Sequence, residues 1–147
     1  MGKVSASITL NRSIEEVFDF LNDQRNHANL NRHNFREFKI LTPNSTGAGA
    51  RSQFLLKTGA FEERVQLRVT TSKPYHLLVE EGHLKGGTFH LSWRLTPVSP
   101  SQTHLVLVTE YQPSGPAAFF EGVIQKAFVR IYTRVLTDLA QKLAAPA

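Results

Sequence analysis

The sequence lacks several kinds of residue and segment that would identify a function directly. Its 147 residues include no cysteine, which excludes disulfides, iron–sulfur clusters, cysteine-ligated zinc and a thiol nucleophile. No apolar run approaches the ~18 residues that cross a bilayer, and the N-terminus lacks the apolar core of a signal peptide. We therefore expect a cytoplasmic protein.

Short catalytic and nucleotide-binding motifs are also missing. The chain contains neither a Gly-x-Ser-x-Gly elbow nor a phosphate-binding Gly-rich loop. Hydrophobic residues make up 41% of the sequence, which is typical of a globular protein and excludes wholesale disorder. The net charge of +5 is scattered, so it is compatible with anionic lipid, nucleic acid or an anionic ligand without selecting one. We expect a single domain over residues 1–147.

The first 30 residues predict a strand followed by two short helices. Apolar and polar residues alternate over 4–10, the pattern of a half-buried strand. Ser13 and Glu16 then form a capping box, in which the hydroxyl and the carboxylate satisfy the first free amides of a helix. Apolar residues recur at helical spacing over 14–21. After a polar break, a second short helix ends near Leu30.

The middle of the chain predicts six consecutive strands. From Phe35 onward the apolar period is two, and Gly, Pro and Asn mark the turns. The connections are too short for a crossover helix, so the strands should pair as antiparallel neighbours. The predicted strands are 35–41, 51–58, 61–71, 75–81, 87–96 and 103–111.

The C-terminal segment predicts a long amphipathic helix. It starts at Ser114-Gly115-Pro116, where proline pre-sets the first turn. An apolar stripe then extends over about 28 residues, or roughly 42 Å. Such a helix is too long to be an ordinary cover, so we expect a curved seven-stranded sheet to wrap around it. An apolar cavity of roughly 300–1,000 Å³ should remain between them.

This order of elements resembles the START-like, or SRPBCC, superfamily, which has the helix-grip fold. The resemblance covers essentially the whole chain and rests on residues 13–21 (SIEEVFDFL), residues 47–50 (GAGA) and the C-terminal helix. The superfamily includes polyketide cyclases, lipid-transfer domains and the major birch pollen allergen. Membership implies an α+β fold and a hydrophobic small molecule or lipid held between sheet and helix. None of the matching segments is a catalytic motif, so no enzymatic activity follows from them.

We predict the ligand-binding residues from the side of each strand or helix on which they lie. The strand residues are Val65, Leu67, Leu77, Val79, Phe89, Leu91, Trp93, Leu107 and Tyr111, and the helix residues are Phe120, Ile124, Phe128 and Ile131. The alternative interpretation is that these side chains fill a solid core.

Three polar residues are candidates for acid–base chemistry. Glu63 shares its side with Val65, Glu81 shares its side with Val79, and Tyr111 lies near a strand end. A carboxylate facing an apolar cavity would have a raised pKa and could hold or protonate a ligand oxygen. The resemblance then implies an enzyme of the polyketide cyclase or aromatase type. The alternative is that these side chains lie near strand ends and reach water.

Lys126, Arg130 and Arg134 lie four residues apart on the polar side of the C-terminal helix. A solvated helix face explains them, and the alternative is docking on an anionic membrane or a ribosome. Two branches of the superfamily suggest that alternative: coenzyme-Q-binding proteins and a ribosome-associated toxin type. The six histidines lack the spacing of a zinc or iron site, so neither a metal nor another cofactor is predicted. A monomer and a homodimer both remain open.

Overall fold

The fold is built from seven strands, two α-helices and a short 3-10 helix in the part of the chain that the structure describes. The structure is a computed structural model that describes residues 2–59, 61–84, 87–111 and 121–144, with the backbone alone for Phe61 and residues 121–124. In chain order the elements are β1 (Gly2–Leu10), α1 (Ile14–Asn22), the 3-10 helix (Gln24–Asn29), β2 (Phe35–Ile40), β3 (Arg51–Thr58), β4 (Phe61–Lys73), β5 (Leu77–Leu84), β6 (Gly87–Ser99), β7 (Gln102–Tyr111) and α2 (Glu121–Ala144). This order confirms the predicted α+β, helix-grip arrangement.

All seven strands form one antiparallel sheet in the order β1-β7-β6-β5-β4-β3-β2. From β2 to β7 each strand pairs with the next along the chain, whereas β1 pairs with β7. β-bulges interrupt the ladder between Arg36 and Lys39 in β2 and between Val69 and Thr71 in β4. Because bulges bend a strand and increase its twist, the sheet curves, and its concave inner face receives the helices.

The predicted capping box begins α1. The Ser13 hydroxyl accepts a hydrogen bond from the Glu16 amide at 3.2 Å and lies 3.1 Å from the Glu16 carboxylate. Val17, Phe18 and Leu21 then bury their side chains against the sheet, each at most 2% exposed. The second predicted helix is the short 3-10 helix. The sequence therefore predicted both elements and the cap that positions the first.

The long helix α2 lies along β1, and its fully buried side chains among the described residues fall between residues 131 and 139. The described helix has 24 residues, a length of about 36 Å, and its predicted start at residues 114–116 lies outside the described residues. Its buried side chains are Ile131, Tyr132, Val135, Leu136 and Leu139. The packed core therefore lies against the middle of α2, over residues 131–139.

Asn31 joins the loop after the 3-10 helix to α2. Its backbone N–H donates to the Asp138 carboxylate at 2.7 Å, and its side-chain amide donates to the Ile131 carbonyl at 2.9 Å. The Asn31 backbone has a φ of 54°, a left-handed conformation that asparagine adopts more readily than most residues. This pair of bonds fixes α2 relative to the loop.

The inward face of β5 differs from the prediction. The sequence predicts that Leu77, Val79, Glu81 and His83 face the interior. Instead Leu78 and Glu80 are completely buried, and they pair across the sheet with the buried residues Trp93 and Leu91. Apolar residues occupy both sides of β5 at its start, so apolar character did not select a face. Each side also carries a glutamate, Glu80 or Glu81, so charge did not select a face either.

Candidate functional site

Most of the predicted ligand-binding residues lie on the inner face of the sheet or on the side of α2 that faces it. Val65, Leu67, Leu91, Trp93, Leu107 and Ile131 are buried there, and Phe89, Tyr111 and Phe128 are half-buried. Leu77 and Val79 lie on the outer face, so they cannot contact a ligand held inside. Phe120 and the side chain of Ile124 lie outside the described residues.

Among the described residues, one end of the inner face is less completely covered than the rest. This open end is formed by Glu63, Leu84, Phe89, Tyr111 and Phe128, which all face inward but are only half-buried. The Tyr111 and Phe128 rings lie 6.4 Å apart, centroid to centroid. Large aromatic side chains with both an inward direction and partial exposure can contact an apolar molecule that enters from this end.

Glycines allow two aromatic rings of the open end to lie flat on the sheet. A Cβ atom added at Gly82 would overlap the Phe89 ring, and one added at Gly2 would overlap the Tyr111 ring. In each case the ring lies over the glycine that is opposite it on the neighbouring strand. The missing side chains therefore leave room for the rings beside the interior.

A buried polar cluster lies deeper on the inner face, centred on Glu80. Its Oε1 accepts a hydrogen bond from Trp93 Nε1 at 3.2 Å and a long one from Gln24 Nε2 at 3.5 Å. The His27 Nδ1 atom lies 3.8 Å from the same oxygen. The His27 Nε2 atom lies 2.6 Å from the Leu21 carbonyl, which can only accept, so Nε2 carries a proton.

Buried polar atoms in this cluster and on β3 make no hydrogen bond with the described residues. They are Glu80 Oε2, Gln24 Oε1 and Ser52 Oγ. Their residues are at most 1% exposed. Buried polar atoms are nearly always hydrogen-bonded, because an atom that loses its hydrogen bonds to water and gains no other partner destabilises the fold. The two oxygens of the cluster, Glu80 Oε2 and Gln24 Oε1, therefore mark a place where the interior can bind a polar group.

Tyr132 adds a neutral phenol to the interior. Thr109 Oγ1 donates to its hydroxyl at 2.7 Å. Burial raises the pKa of the Tyr132 phenol above its usual value of 10.0, and the nearby Glu80 charge raises it further. Tyr132 therefore stays protonated and acts as a hydrogen-bonding group, not as a base.

The structure separates Glu81 from the other two predicted acid–base residues. Glu63 lies at the open end opposite Leu56, and Tyr111 lies at the same end. Glu81 lies on the outer face, where its carboxylate is 3.0 Å from His83 Nε2. The prediction that Glu81 faces a cavity is therefore wrong, because β5 presents its other side to the interior.

Glu80 and its partners were missed by the sequence analysis. Glu80 is followed by a second charged residue and lies near a turn, a pattern that is typical of the surface. Its hydrogen-bond partners are also distant in the sequence. One signal was available: Glu80 alternates with Leu78 and Gly82, so an inward Leu78 requires an inward Glu80.

A separate polar depression of about 530 Å³ lies on the surface between the loop after the 3-10 helix and the end of α2. It is lined by Asn29, Arg32, His33, Asp138, Gln141 and Lys142. Lys126, Arg130 and Arg134 lie exposed elsewhere on α2. Among the described residues there is no group of His, Asp and Glu side chains that could hold a metal ion. No helix in the described ranges is long and apolar enough to cross a membrane.

Comparison with protein families gives one match that spans almost the entire chain. Residues 1–144 match the model of the family described as polyketide cyclase / dehydrase and lipid transport. No curated protein sequence matches the chain significantly.

Comparison with solved structures finds the same fold at low sequence identity. The aromatase/cyclase Zhui from Streptomyces sp. R1128 is 13% identical with a TM-score of 0.80, over 97% of this chain and 93% of that one. A START superfamily protein from Mycobacterium smegmatis is 12% identical with a TM-score of 0.76, over 96% of both chains. The major latex-like protein 151 from Panax ginseng is 9% identical with a TM-score of 0.73, over 98% of both chains. At these identities the likeness establishes the fold alone.

Proposed function

Because the chain belongs to the polyketide cyclase / dehydrase and lipid transport family, we propose that it binds a hydrophobic small molecule or lipid between the inner face of the sheet and α2. The ligand enters at the open end and lies against the aromatic rings there. Its far end reaches toward the buried polar cluster.

The open end is the observation that carries this proposal. Phe89, Tyr111 and Phe128 face inward and pack against the core, yet each keeps part of its surface accessible. In a solid core such side chains would be covered by their neighbours. An apolar ligand that covers them gains the free energy of removing their exposed surface from water.

Binding of an environment-sensitive apolar dye tests the proposal. We expect anilinonaphthalene sulfonate to bind saturably at one site per chain and to be displaced by long-chain alkyl compounds. Phe128→Ser should weaken dye binding by about tenfold, because it removes a large apolar contact at the open end.

Val129→Ser is the matched control for this variant. Val129 is the next residue of α2 but is 44% exposed, so its replacement should leave dye affinity unchanged. Equal effects of the two substitutions, or no saturable binding by the wild-type protein, would overturn the proposed function.

A second candidate function is catalysis of the cyclase or aromatase type. Glu63 and Tyr111 favour it, since both lie at the open end and can exchange protons with a bound ligand. Glu63→Gln and Tyr111→Phe should each abolish cyclisation of a poly-β-ketone substrate while dye binding survives. The neighbouring Glu62, which pairs with Lys57 at 3.3 Å, provides the control Glu62→Gln. Full turnover by Glu63→Gln and Tyr111→Phe would exclude this candidate.

A further inference from the structure

We infer that Glu80 and Gln24 form a polar subsite that binds a hydroxyl group of the ligand. The ligand is then an apolar alcohol, phenol or enol, and not a fatty acid or a plain hydrocarbon. This assignment rests on the proposed function, because it names the class of molecule that the same interior accepts.

The Glu80 side chain is completely buried, but only one of its two carboxylate oxygens has a hydrogen-bond partner among the described residues. Its Oε1 accepts from Trp93 and Gln24, whereas Oε2 has no hydrogen-bond partner among the described residues. A carboxylate oxygen that loses water without gaining a donor destabilises the folded chain. A bound molecule that supplies a donor at this position would remove that penalty.

The cluster oxygens that lack a partner, Glu80 Oε2 and Gln24 Oε1, are hydrogen-bond acceptors. Glu80 Oε2 carries only lone pairs when the group is ionised, and Gln24 Oε1 is the carbonyl oxygen of an amide whose nitrogen already points at Glu80. A hydroxyl group supplies the donor that they lack. A ligand carboxylate has no donor to offer and would be repelled by the Glu80 charge.

The site favours a neutral hydroxyl over a cationic amine. Both are donors, but an ammonium group loses far more hydration free energy than a hydroxyl when it enters an apolar interior. The Glu80 carboxylate already has His27 within 3.8 Å and two neutral donors in contact. A neutral hydroxyl completes this arrangement without bringing in a second desolvated charge.

The ligand reaches Glu80 from the open end. Glu80 lies two residues before Gly82 on β5, about 7 Å along the strand, and Gly82 is covered by the Phe89 ring. A ligand that displaces this ring would lie on the Gly82 backbone, which carries no side chain. The apolar body of a ligand can then lie at the open end while its hydroxyl reaches Glu80.

Trp93 provides a built-in reporter for the test. It is the only tryptophan in the chain, and its indole N–H donates to Glu80. We would titrate the protein with decanol, decyl methyl ether, decanoate and decylamine, which share an alkyl chain and do not absorb where tryptophan does. Calorimetry gives the affinities, and Trp93 emission reports whether the polar group reaches Glu80.

We expect decanol to bind about tenfold more tightly than decyl methyl ether or decanoate, the gain of one hydrogen bond to a buried oxygen that has no other donor among the described residues. Decanol should also shift Trp93 emission. Glu80→Gln should remove the preference for decanol over the ether. Glu81→Gln should retain it, because Glu81 is the next residue but lies on the outer face.

Three results would overturn the assignment. Equal affinity for decanol and the ether would exclude the hydroxyl subsite and leave the proposed function standing. Tighter binding of decylamine than of decanol would assign the subsite to a cation. No saturable binding of any probe would overturn the proposed function as well. Should Glu80→Gln fail to fold, the comparison of decanol with the ether in the wild-type protein decides alone.

Discussion

At the scale of single residues, the buried Glu80 carboxylate is the group on which the inferred polar subsite depends. Carboxylates are almost never fully buried unless they are paired, and the partners of Glu80 lie 13 and 56 positions away, at Trp93 and Gln24. Only the folded chain brings these side chains together. Glu63 and Tyr111 were predictable, because simple alternation along β4 and β7 places them inward.

Asp23 gives a residue-scale prediction of pH dependence. A side-chain hydrogen bond with Arg25 is the main cause that lowers the pKa of Asp23 to about 2, against the opposing effect of burial, and the Arg25 amide and the Ser45 hydroxyl lower it further. The folded chain therefore binds this proton less readily than the unfolded chain. The stabilisation is complete above the ordinary pKa of 3.8 and is lost as the pH falls toward 2.

The variant Asp23→Asn tests this dependence. At pH 7 it should lower the free energy of unfolding by about 1 kcal/mol, since it replaces an ion pair on a partly exposed surface. The difference from wild type should shrink as the pH falls from about 4 to about 2, measured by urea unfolding followed by circular dichroism. Asp19→Asn, at an exposed position of α1, is the control and should change little. A difference that stays constant down to pH 2 would contradict the Asp23 account.

At the scale of elements, the strands and helices followed from local patterns, whereas one strand face did not. The period of two, the turns and the capping box at Ser13 are local signals, and the observed elements match the predicted ones to within a few residues. The face of β5 depends on its register with β6, where Leu78 lies opposite Trp93. On the other side of β5, the bulge between Val69 and Thr71 shifts its pairing with β4. Both are properties of the assembled sheet.

The pairing of β5 with β6 gives an element-scale prediction. In Gly82→Ala the added Cβ would overlap the Phe89 ring, so the ring must leave the sheet and turn into the open end. We expect a loss of about 1–3 kcal/mol in the free energy of unfolding and weaker binding of the apolar dye. In a Phe89→Leu background the same substitution should cost much less. An equal cost in both backgrounds would show that the ring does not lie on Gly82.

At the scale of the whole molecule, the fold is shared by proteins that retain little of its sequence. The aromatase/cyclase from Streptomyces and the START superfamily protein from Mycobacterium smegmatis match it over nearly their full lengths at 13% and 12% identity. The helix-grip arrangement therefore depends on patterning and not on particular side chains. A shared fold does not fix the function, which depends on the particular residues at the site.

The basic side of α2 gives a prediction about association with a surface. Lys126, Arg130 and Arg134 are exposed and form no ion pair with other described residues. If they dock the protein on an anionic membrane, reversing all three to Glu should abolish sedimentation with phosphatidylserine vesicles. Each charge contributes about 1 kcal/mol, so wild-type binding should weaken steeply with added salt. Vesicles of neutral lipid are the control, and unchanged sedimentation of the triple variant would exclude this surface.

The central claim is that an apolar ligand binds on the inner face of the sheet and not elsewhere. The most direct test is a nuclear magnetic resonance titration of the methyl-labelled protein with decanol. We predict saturable shifts for the inner-face methyl groups of Leu67, Leu91 and Ile131 and for the Trp93 indole N–H, with little change at Leu77 and Val79. Shifts confined to the outer face, or none at any of these positions, would contradict the account.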